Sequence, residues 1–330
     1  MHSPTGMNRR TLLQTSVAAA TALSVPTAFA QSYPSRRITI VVPFSPATAF
    51  DTIARVAGQK LSERWGQPVI VDNKPGAAGT VGTELVANAI PDGYTLATCG
   101  APHAVHPSTI KNLRYDPFAA FTFIGVLATN TVVLAVNPSV FPVSSLNELI
   151  AAVKAKPGQY NYSSPGVGTL QQLGMELLKQ QLGLDVLHVP YRGQSQAVTD
   201  FLSGQVHMTY IGLNSILAHV RAGKLRIIAA AGTKRSTIVP DVPTLTELGH
   251  ASLDFDLWFG FMAPANTPEP IVRHWEQELL AISKLPDVHE ALARQGLTPS
   301  YLNAAATRTL FQSEVARWRT VVEKAGIKPE

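Results

Sequence analysis

A single cysteine, Cys99, stands among 330 residues, and charged side chains make up only 15% of them. One thiol has no partner for an intramolecular disulfide, so a disulfide scaffold and a dithiol redox centre are both excluded. Basic residues never run more than two in succession, which leaves no stripe to follow a phosphate backbone, and no nucleic-acid partner is expected. Metal-ligand spacing is missing as well. His103 and His106 are close, but Pro107 follows and no H-E-x-x-H or paired-cysteine pattern accompanies them. No metal or cofactor is therefore expected. What is abundant is apolar: 45% of the residues are hydrophobic, against the composition of a disordered or collagenous chain. The length suggests two domains, each able to bury a core, with a cleft between them.

Acidic residues are absent from the first 50 positions, where Arg9, Arg10, Arg36 and Arg37 carry the positive charge. From Met7 the order is a basic Asn8-Arg9-Arg10, an apolar run to Val25, and Ala28-Phe29-Ala30 before Gln31. That order predicts a signal peptide over residues 1–30, cleaved near Ala30-Gln31. The adjacent arginines followed by Leu12 and Leu13 point to twin-arginine export. The apolar run is about 15 residues, short of the roughly 20 that span a bilayer, and no later segment is long enough either. Gln31 is not the acylated cysteine of a lipoprotein. A free, exported protein of net charge +3 is expected after cleavage, since the formal +5 of the whole chain includes Arg9 and Arg10.

Beyond residue 31 short apolar runs alternate with amphipathic stretches, the pattern of an α/β protein with largely parallel sheets. Ile38 to Val42 predicts a buried strand; Ile53, Val56, Ala57, Leu61 and Trp65 recur at helical spacing and stop at Gly66. Strand-then-helix units continue to Thr98. From Val132 the alternation resumes, with a capping box at Ser145-Leu146-Asn147-Glu148, strands at 160–163, 186–190, 206–211 and 225–231, and helices between them. An apolar run from Phe255 to Met262 and two or three amphipathic helices close the chain, with Glu276 and Glu278 read as a solvated face. Val42-Pro43-Phe44 and Val189-Pro190-Tyr191 echo one another as strand ends, where open α/β sheets bind ligands.

Ten short motifs in order carry a resemblance. They include Ile40-Val41-Val42-Pro43-Phe44, Arg64-Trp65-Gly66-Gln67-Pro68, Asn73-Lys74-Pro75-Gly76-Ala77, Pro91-Asp92-Gly93-Tyr94, Val189-Pro190-Tyr191-Arg192-Gly193, Pro240-Asp241-Val242-Pro243-Thr244 and Trp258-Phe259-Gly260. From about Tyr33 to the C-terminus the chain resembles the periplasmic solute receptors of tripartite tricarboxylate transporters, the Bug receptors. The resemblance implies a type II periplasmic-binding-protein fold: two α/β lobes around a cleft, joined by two crossover segments. One lobe would comprise residues 31–130 with 256–330, and the other residues 131–255.

It also implies that loops at the strand ends hold a solute carboxylate largely through backbone N–H groups, which helix N-termini supply together with a favourable dipole. The first such loop contains Phe44, Ser45, Ala47, Thr48 and Asp51. Relatives commonly carry two glycines at Ala47 and Thr48; their loss removes easy access to positive φ, and Thr48 could donate a hydroxyl instead. Asp51 is expected to cap or orient the loop. The second loop contains Ser163, Ser164, Gly166, Gly168 and Thr169. In the third, Tyr191 would stack on a solute and Arg192 would pair with a distal carboxylate. The fourth contains Gly212, where many relatives have Asp-Asn near Ile211-Gly212, so an amino-acid solute is disfavoured. Ala78, Gly79 and His103 would complete the rim.

The resemblance implies a monomeric receptor that captures a dicarboxylate, tricarboxylate or aromatic carboxylate and delivers it to membrane permease subunits, without catalysis. Two other readings compete. Gly193-Gln194-Ser195-Gln196-Ala197 nearly matches the G-x-S-x-G nucleophile elbow, suggesting an esterase using Ser195, although Ala197 replaces the last glycine and no histidine downstream has a recognisable context. A receptor that senses a carboxylate for a signalling partner is the third.

Overall fold

The computed structural model describes residues 33–329, so the expected signal segment and its cleavage point lie outside the described residues. From Arg36 onward the chain forms one unit, which holds the helices and strands below.

In β1 (Ile38–Val42) the β-branched run is almost wholly buried, and it feeds α1 (Ala49–Trp65). Gly66 stops α1 at φ 63°, and the stripe Ile53, Ala54, Ala57 and Leu61 faces the core. Then come β2 (Val69–Asn73), a 3-10 turn (Ala77–Gly79), α2 (Thr80–Ala87), β3 (Thr95–Gly100), α3 (Ala101–Thr109) and β4 (Phe121–Asn130). The middle of the chain contributes β5 (Val132–Val136), α4 (Leu146–Ala155), β6 (Asn161–Ser164), α5 (Leu170–Leu182), β7 (Leu187–Pro190), α6 (Gln194–Leu202), β8 (Met208–Gly212), α7 (Leu217–Arg221) and β9 (Arg226–Ala230). Last are β10 (Leu257–Pro264), α8 (Glu269–Ile282), α9 (Pro286–Arg294), β11 (Thr298–Asn303) and α10 (Ala304–Lys324).

Two sheets result, ordered β11-β4-β10-β3-β1-β2 and β7-β6-β8-β5-β9. Neither is largely parallel as expected. β1 pairs in parallel with β2 and β3, and β6 with β7 and β8, whereas β4, β5 and β10 pair antiparallel with their neighbours. The reason is topological. β4 and β5 carry the chain out of the first sheet into the second; β10 and β11 of the final run go against β1, β2, β3 and β4 in the first sheet, and β5 goes against β6, β7, β8 and β9 in the second. Only Thr131 separates β4 from β5, and the return passes through residues 231–256. The N–H of Ala231 donates to Val132 O at 2.8 Å, tying the two passages together.

The proposed echo of strand ends is not a topological equivalence, because β1 lies inside its sheet and β7 at an edge. Three elements were not predicted. α3 carries Pro102 and Pro107 and has no clean apolar stripe; β11 is a partly exposed edge strand containing Pro299; and β4 is an apolar run hidden among its neighbours. Glu276 and Glu278 are not a solvated face. Glu276 accepts the Ala304 N–H at 2.8 Å at the start of α10, and Glu278 pairs with Arg64 of α1. The apolar spacing of α10 predicts a face of Leu310, Phe311, Val315, Trp318 and Val322; all but the half-buried Leu310 are buried, and the Trp318 indole N–H finds Glu314 at 2.8 Å.

Candidate functional site

The loop after β1 is built around Asp51, which is buried in the first turn of α1. Its Oδ2 accepts the Ala47 N–H at 3.0 Å and Arg55 Nε at 2.9 Å, while Oδ1 accepts from Asn73 Nδ2 at 3.0 Å. Burial acts to raise this carboxyl, but the bonds from Arg55, Ala47 and Asn73 outweigh it and hold the group below its ordinary value. Asn73 also donates to Phe44 O at 3.1 Å and so pins the loop from both ends. Ala47 keeps a left-handed φ of 63° despite its methyl group, so the conformation favoured by glycine survives here at a cost of about 1 kcal/mol. The Thr48 hydroxyl donates to Ser45 O at 2.9 Å and accepts the Asp51 N–H. It is therefore an N-cap and not the free ligand donor expected. Ser45 and Ala47 are exposed, and Phe44 is half-buried.

Phe44 brings the next segment in. Its ring lies 2.9 Å from where a Cβ on Gly79 would be, so only glycine fits at that position, which also has φ 98°. Ala77 and Ala78 are left-handed too, at φ 44° and 54°. Two histidines of α3 hold this turn. The Thr83 hydroxyl donates to Gly79 O at 2.8 Å, so it accepts from His103 Nε2–H at 3.0 Å, leaving Nδ1 to accept the Gly100 N–H at 3.2 Å. His106 donates from Nε2 to Ala78 O at 3.1 Å and accepts the Tyr115 hydroxyl on Nδ1 at 2.9 Å. Burial drives both imidazoles down, His103 to about 3, with His106 adding to its shift, and His106 to about 4. Both are neutral at pH 7. Each ring nitrogen has a protein partner, so His103 lies beneath the rim as a support with its polar atoms occupied.

In the second sheet, β6 ends in Ser163 and Ser164, both buried. Ser163 O accepts the Thr209 hydroxyl at 3.1 Å. Ser164 Oγ donates to Gly166 O at 3.0 Å and accepts the Gly166 N–H at 3.2 Å, and the Thr169 hydroxyl also donates to Gly166 O, at 2.7 Å. Gly166 and Gly168 take φ 153° and 73°, and α5 begins one residue after Thr169. The loop at 191–193 is fastened to this one: the Tyr191 N–H donates to Ser164 O and the Gly193 N–H to Pro165 O, each at 3.0 Å. Tyr191 packs partly against the core of the second sheet, and burial together with a bond to Asp200 pushes its hydroxyl up to about 12. Arg192 is exposed.

α3 joins the two sets of loops. A Cβ on Gly168 would meet the Thr109 side chain at 3.2 Å, at the far end of the helix whose His106 holds Ala78. Gly212 ends β8 beside the strand crossing, where its missing side chain leaves room for the Asn130 amide. Asn130 Nδ2 donates to Asn214 Oδ1 at 2.7 Å, the Ser215 hydroxyl donates to the same oxygen at 3.1 Å, and Gln194 Nε2 donates to Ser215 Oγ. Asn130, Gln172 and His188 are not marked by any sequence pattern, while Asn73 stands in a recognised motif and Asn214 in the fourth loop without a role being assigned to either. Ser195 is exposed in the first turn of α6 with helical backbone, while the unusual φ of 121° belongs to Gly193. An elbow puts the nucleophile itself at the strained position, so Ser195 lacks the geometry an esterase needs.

Residues 53–327 match the family model described as the tripartite tricarboxylate transporter family receptor. The chain belongs to this receptor family. Among curated proteins it is similar to Protein BugT of Bordetella pertussis, 35% identical over 301 residues, which covers 91% of this chain and 92% of BugT. Among solved structures it is similar to R. palustris Rpa4515 with adipate, with a TM-score of 0.81 and 30% identity over 90% of this chain and 100% of that one. MatC of Rhodopseudomonas palustris with bound malate gives a TM-score of 0.75 at 30% identity, covering 88% and 100%. The receptor thus has the α/β periplasmic-binding-protein fold that its motifs implied, built on two mixed sheets.

Proposed function

We propose that this receptor is exported to the periplasm, closes on a small organic carboxylate, and hands it to the membrane permease subunits of a tripartite tricarboxylate transporter. Two relatives support the solute class: Rpa4515 was solved with adipate and MatC with malate, and each is similar over about nine-tenths of this chain. Within the chain the reading rests on one observation. Loops 43–48 and 164–169 each end a strand, hold residues at positive φ and open a helix. The first N–H groups of α1 and α5 have no intrahelical acceptor, and the helix dipole adds partial positive charge, so a carboxylate is bound without a dedicated basic side chain. Phe44, Ser45, Ala47, Ala78, Gly166, Thr169, Tyr191 and Arg192 are the contacts we assign. Asp51, Gly79, His103, Ser163 and Ser164 act from beneath, and Gly212 belongs to the hinge.

In this reading residues 31–130 with 256–330 form one lobe and residues 131–255 the other, closing as a monomer around the solute. Binding energy drives the closure, no covalent bond changes, and no catalytic residue is assigned. Residues 1–30 are the twin-arginine signal removed near Ala30-Gln31. A thermal-shift screen of residues 31–330 against adipate, malate, citrate and benzoate tests the proposal, because a ligand at about 100 times its Kd adds about 2.7 kcal/mol of stability. A raised Tm with one of them is expected; no shift with any removes the carboxylate reading.

A further inference from the structure

His188 of β7 lies behind the second loop, and its hydrogen bonds fix its tautomer. Gln172 Oε1 accepts the Gly168 N–H at 2.7 Å, so the amide nitrogen of Gln172 faces His188 and donates to Nδ1 at 3.3 Å. The ring proton is therefore on Nε2, where Ser164 Oγ accepts it at 2.7 Å. A neutral imidazole thus governs both glycines of the loop, Gly166 through Ser164 and Gly168 through Gln172. The Ser164–His188 contact resembles a nucleophile with its general base, yet Nε2 already carries a proton and cannot take the serine's.

Protonation would change the second branch. A proton on Nδ1 makes that atom a donor facing the Gln172 NH2 group, and the conflict is relieved when the amide turns its oxygen to His188. The NH2 group then faces the Gly168 N–H, so both are left without an acceptor beside a new positive charge. An anion oxygen satisfies them. We propose that His188 is a positioning residue whose protonation state decides whether the Gly168 N–H is taken by Gln172 or offered to a solute anion. The solute half rests on the carboxylate-receptor reading; the coupling of His188 to Gly168 does not.

The groups facing His188 are Tyr162 of β6, stacked at 4.8 Å, and Gln172, Glu176 and Lys179 of α5. Burial lowers the imidazole below its ordinary value, Glu176 acts to raise it and Lys179 to lower it. Glu176 Oε1 is itself engaged by the Tyr162 hydroxyl at 2.7 Å and by Lys179 at 2.8 Å. Neutral His188 is the resting form, and anion binding would draw a proton on to it.

The test is an NMR titration of residues 31–330, following the His188 ring and the Gly168 amide. Without ligand, the ring proton is expected on Nε2 at high pH, and the Gly168 amide shift should move with the His188 midpoint, below the ordinary value of about 6.5. In His188→Asn the Gly168 shift should stay flat. A Gly168 amide indifferent to His188, or a ring proton on Nδ1 in the neutral form, overturns the proposal; the wild-type titration decides this even if the variant misfolds. With saturating adipate the His188 midpoint should rise, one unit corresponding to about tenfold tighter binding by the protonated form. Adipate that binds without moving the midpoint overturns the solute half. If adipate perturbs no amide, the carboxylate-receptor reading loses its probe, and the ligand-free titration still decides whether His188 governs Gly168.

Discussion

His106 donates its Nε2 proton to the carbonyl oxygen of Ala78 at 3.1 Å, and Ala78 is the second of two successive alanines in the left-handed region. The bond fastens a turn that its own residues disfavour. His106→Phe leaves both Ala78 O and the Tyr115 hydroxyl without this partner, and a loss of about 1–3 kcal/mol in urea unfolding is expected. His106→Gln, which keeps a donor, should recover part of it. An unchanged midpoint in the Phe variant would show that the turn stands without the histidine.

The two buried histidines make stability depend on pH. In the unfolded chain each titrates near 6.5, but in the fold His103 falls to about 3 and His106 to about 4. As pH drops below 6.5 the unfolded state therefore binds protons that the folded state refuses, and stability falls, by up to about 1.4 kcal/mol per pH unit for each histidine. Urea unfolding between about pH 7 and pH 4 should show this loss, and His106→Phe should shrink the slope relative to wild type.

Asp256 acts in the opposite direction. Burial, with Asp254 adding to it, raises this carboxyl to about 6 against a bond from the Val132 N–H, and its Oδ1 has no hydrogen-bond partner. The folded state holds a proton that the unfolded state has released between about pH 4 and pH 6, so ionising Asp256 costs stability as pH rises through that window. Asp256→Asn should be more stable than wild type by about 1–3 kcal/mol at pH 8 and equal to it near pH 4. Equal stability at both would mean that the carboxylate is well solvated.

Gly212→Ala places a methyl group on the Asn130 amide and breaks its bond to Asn214. A destabilisation of about 1–3 kcal/mol is expected, as for overpacking elsewhere. Asn130→Ala in the same chain should restore part of the loss, and a double-mutant cycle measures the coupling. Additive losses would separate the two residues.

Arg192 is exposed beside Tyr191. If it pairs with a distal carboxylate, Arg192→Gln should weaken a dicarboxylate such as adipate about tenfold, as expected for a charge-assisted bond of 1.5–3 kcal/mol, and leave a monocarboxylate unaffected. Calorimetric titration of both ligands distinguishes this from a solvated surface charge, which would leave both affinities unchanged.

The regular elements were legible where one face is apolar and a stop residue follows. β1, α1 with Gly66, and α10 with its buried stripe show this. α3 was not, because Pro102 at its start and Pro107 within it read as breaks, although Pro102 sits where a helix tolerates one. The candidate loops were marked by their glycines and strand ends, and the capping role of Asp51 by its place after the loop. Their supports could not. Asn73 reaches Asp51 across 22 positions, His188 reaches Ser164 across 24 and Asn130 reaches Asn214 across 84, separations that only the sheet order closes.

The brevity of the first passage between the sheets constrains how the receptor can move. With Thr131 alone between β4 and β5, the sixteen residues from Phe121 to Val136 are almost one strand, roughly 50 Å long if extended. Such a connection has no slack, so neither sheet can translate away from the other there. Rotation about the few backbone torsions near Thr131 is what remains, and the Ala231–Val132 hydrogen bond keeps the return passage near that axis. Any movement of one sheet against the other is accordingly restricted to a swing about that point.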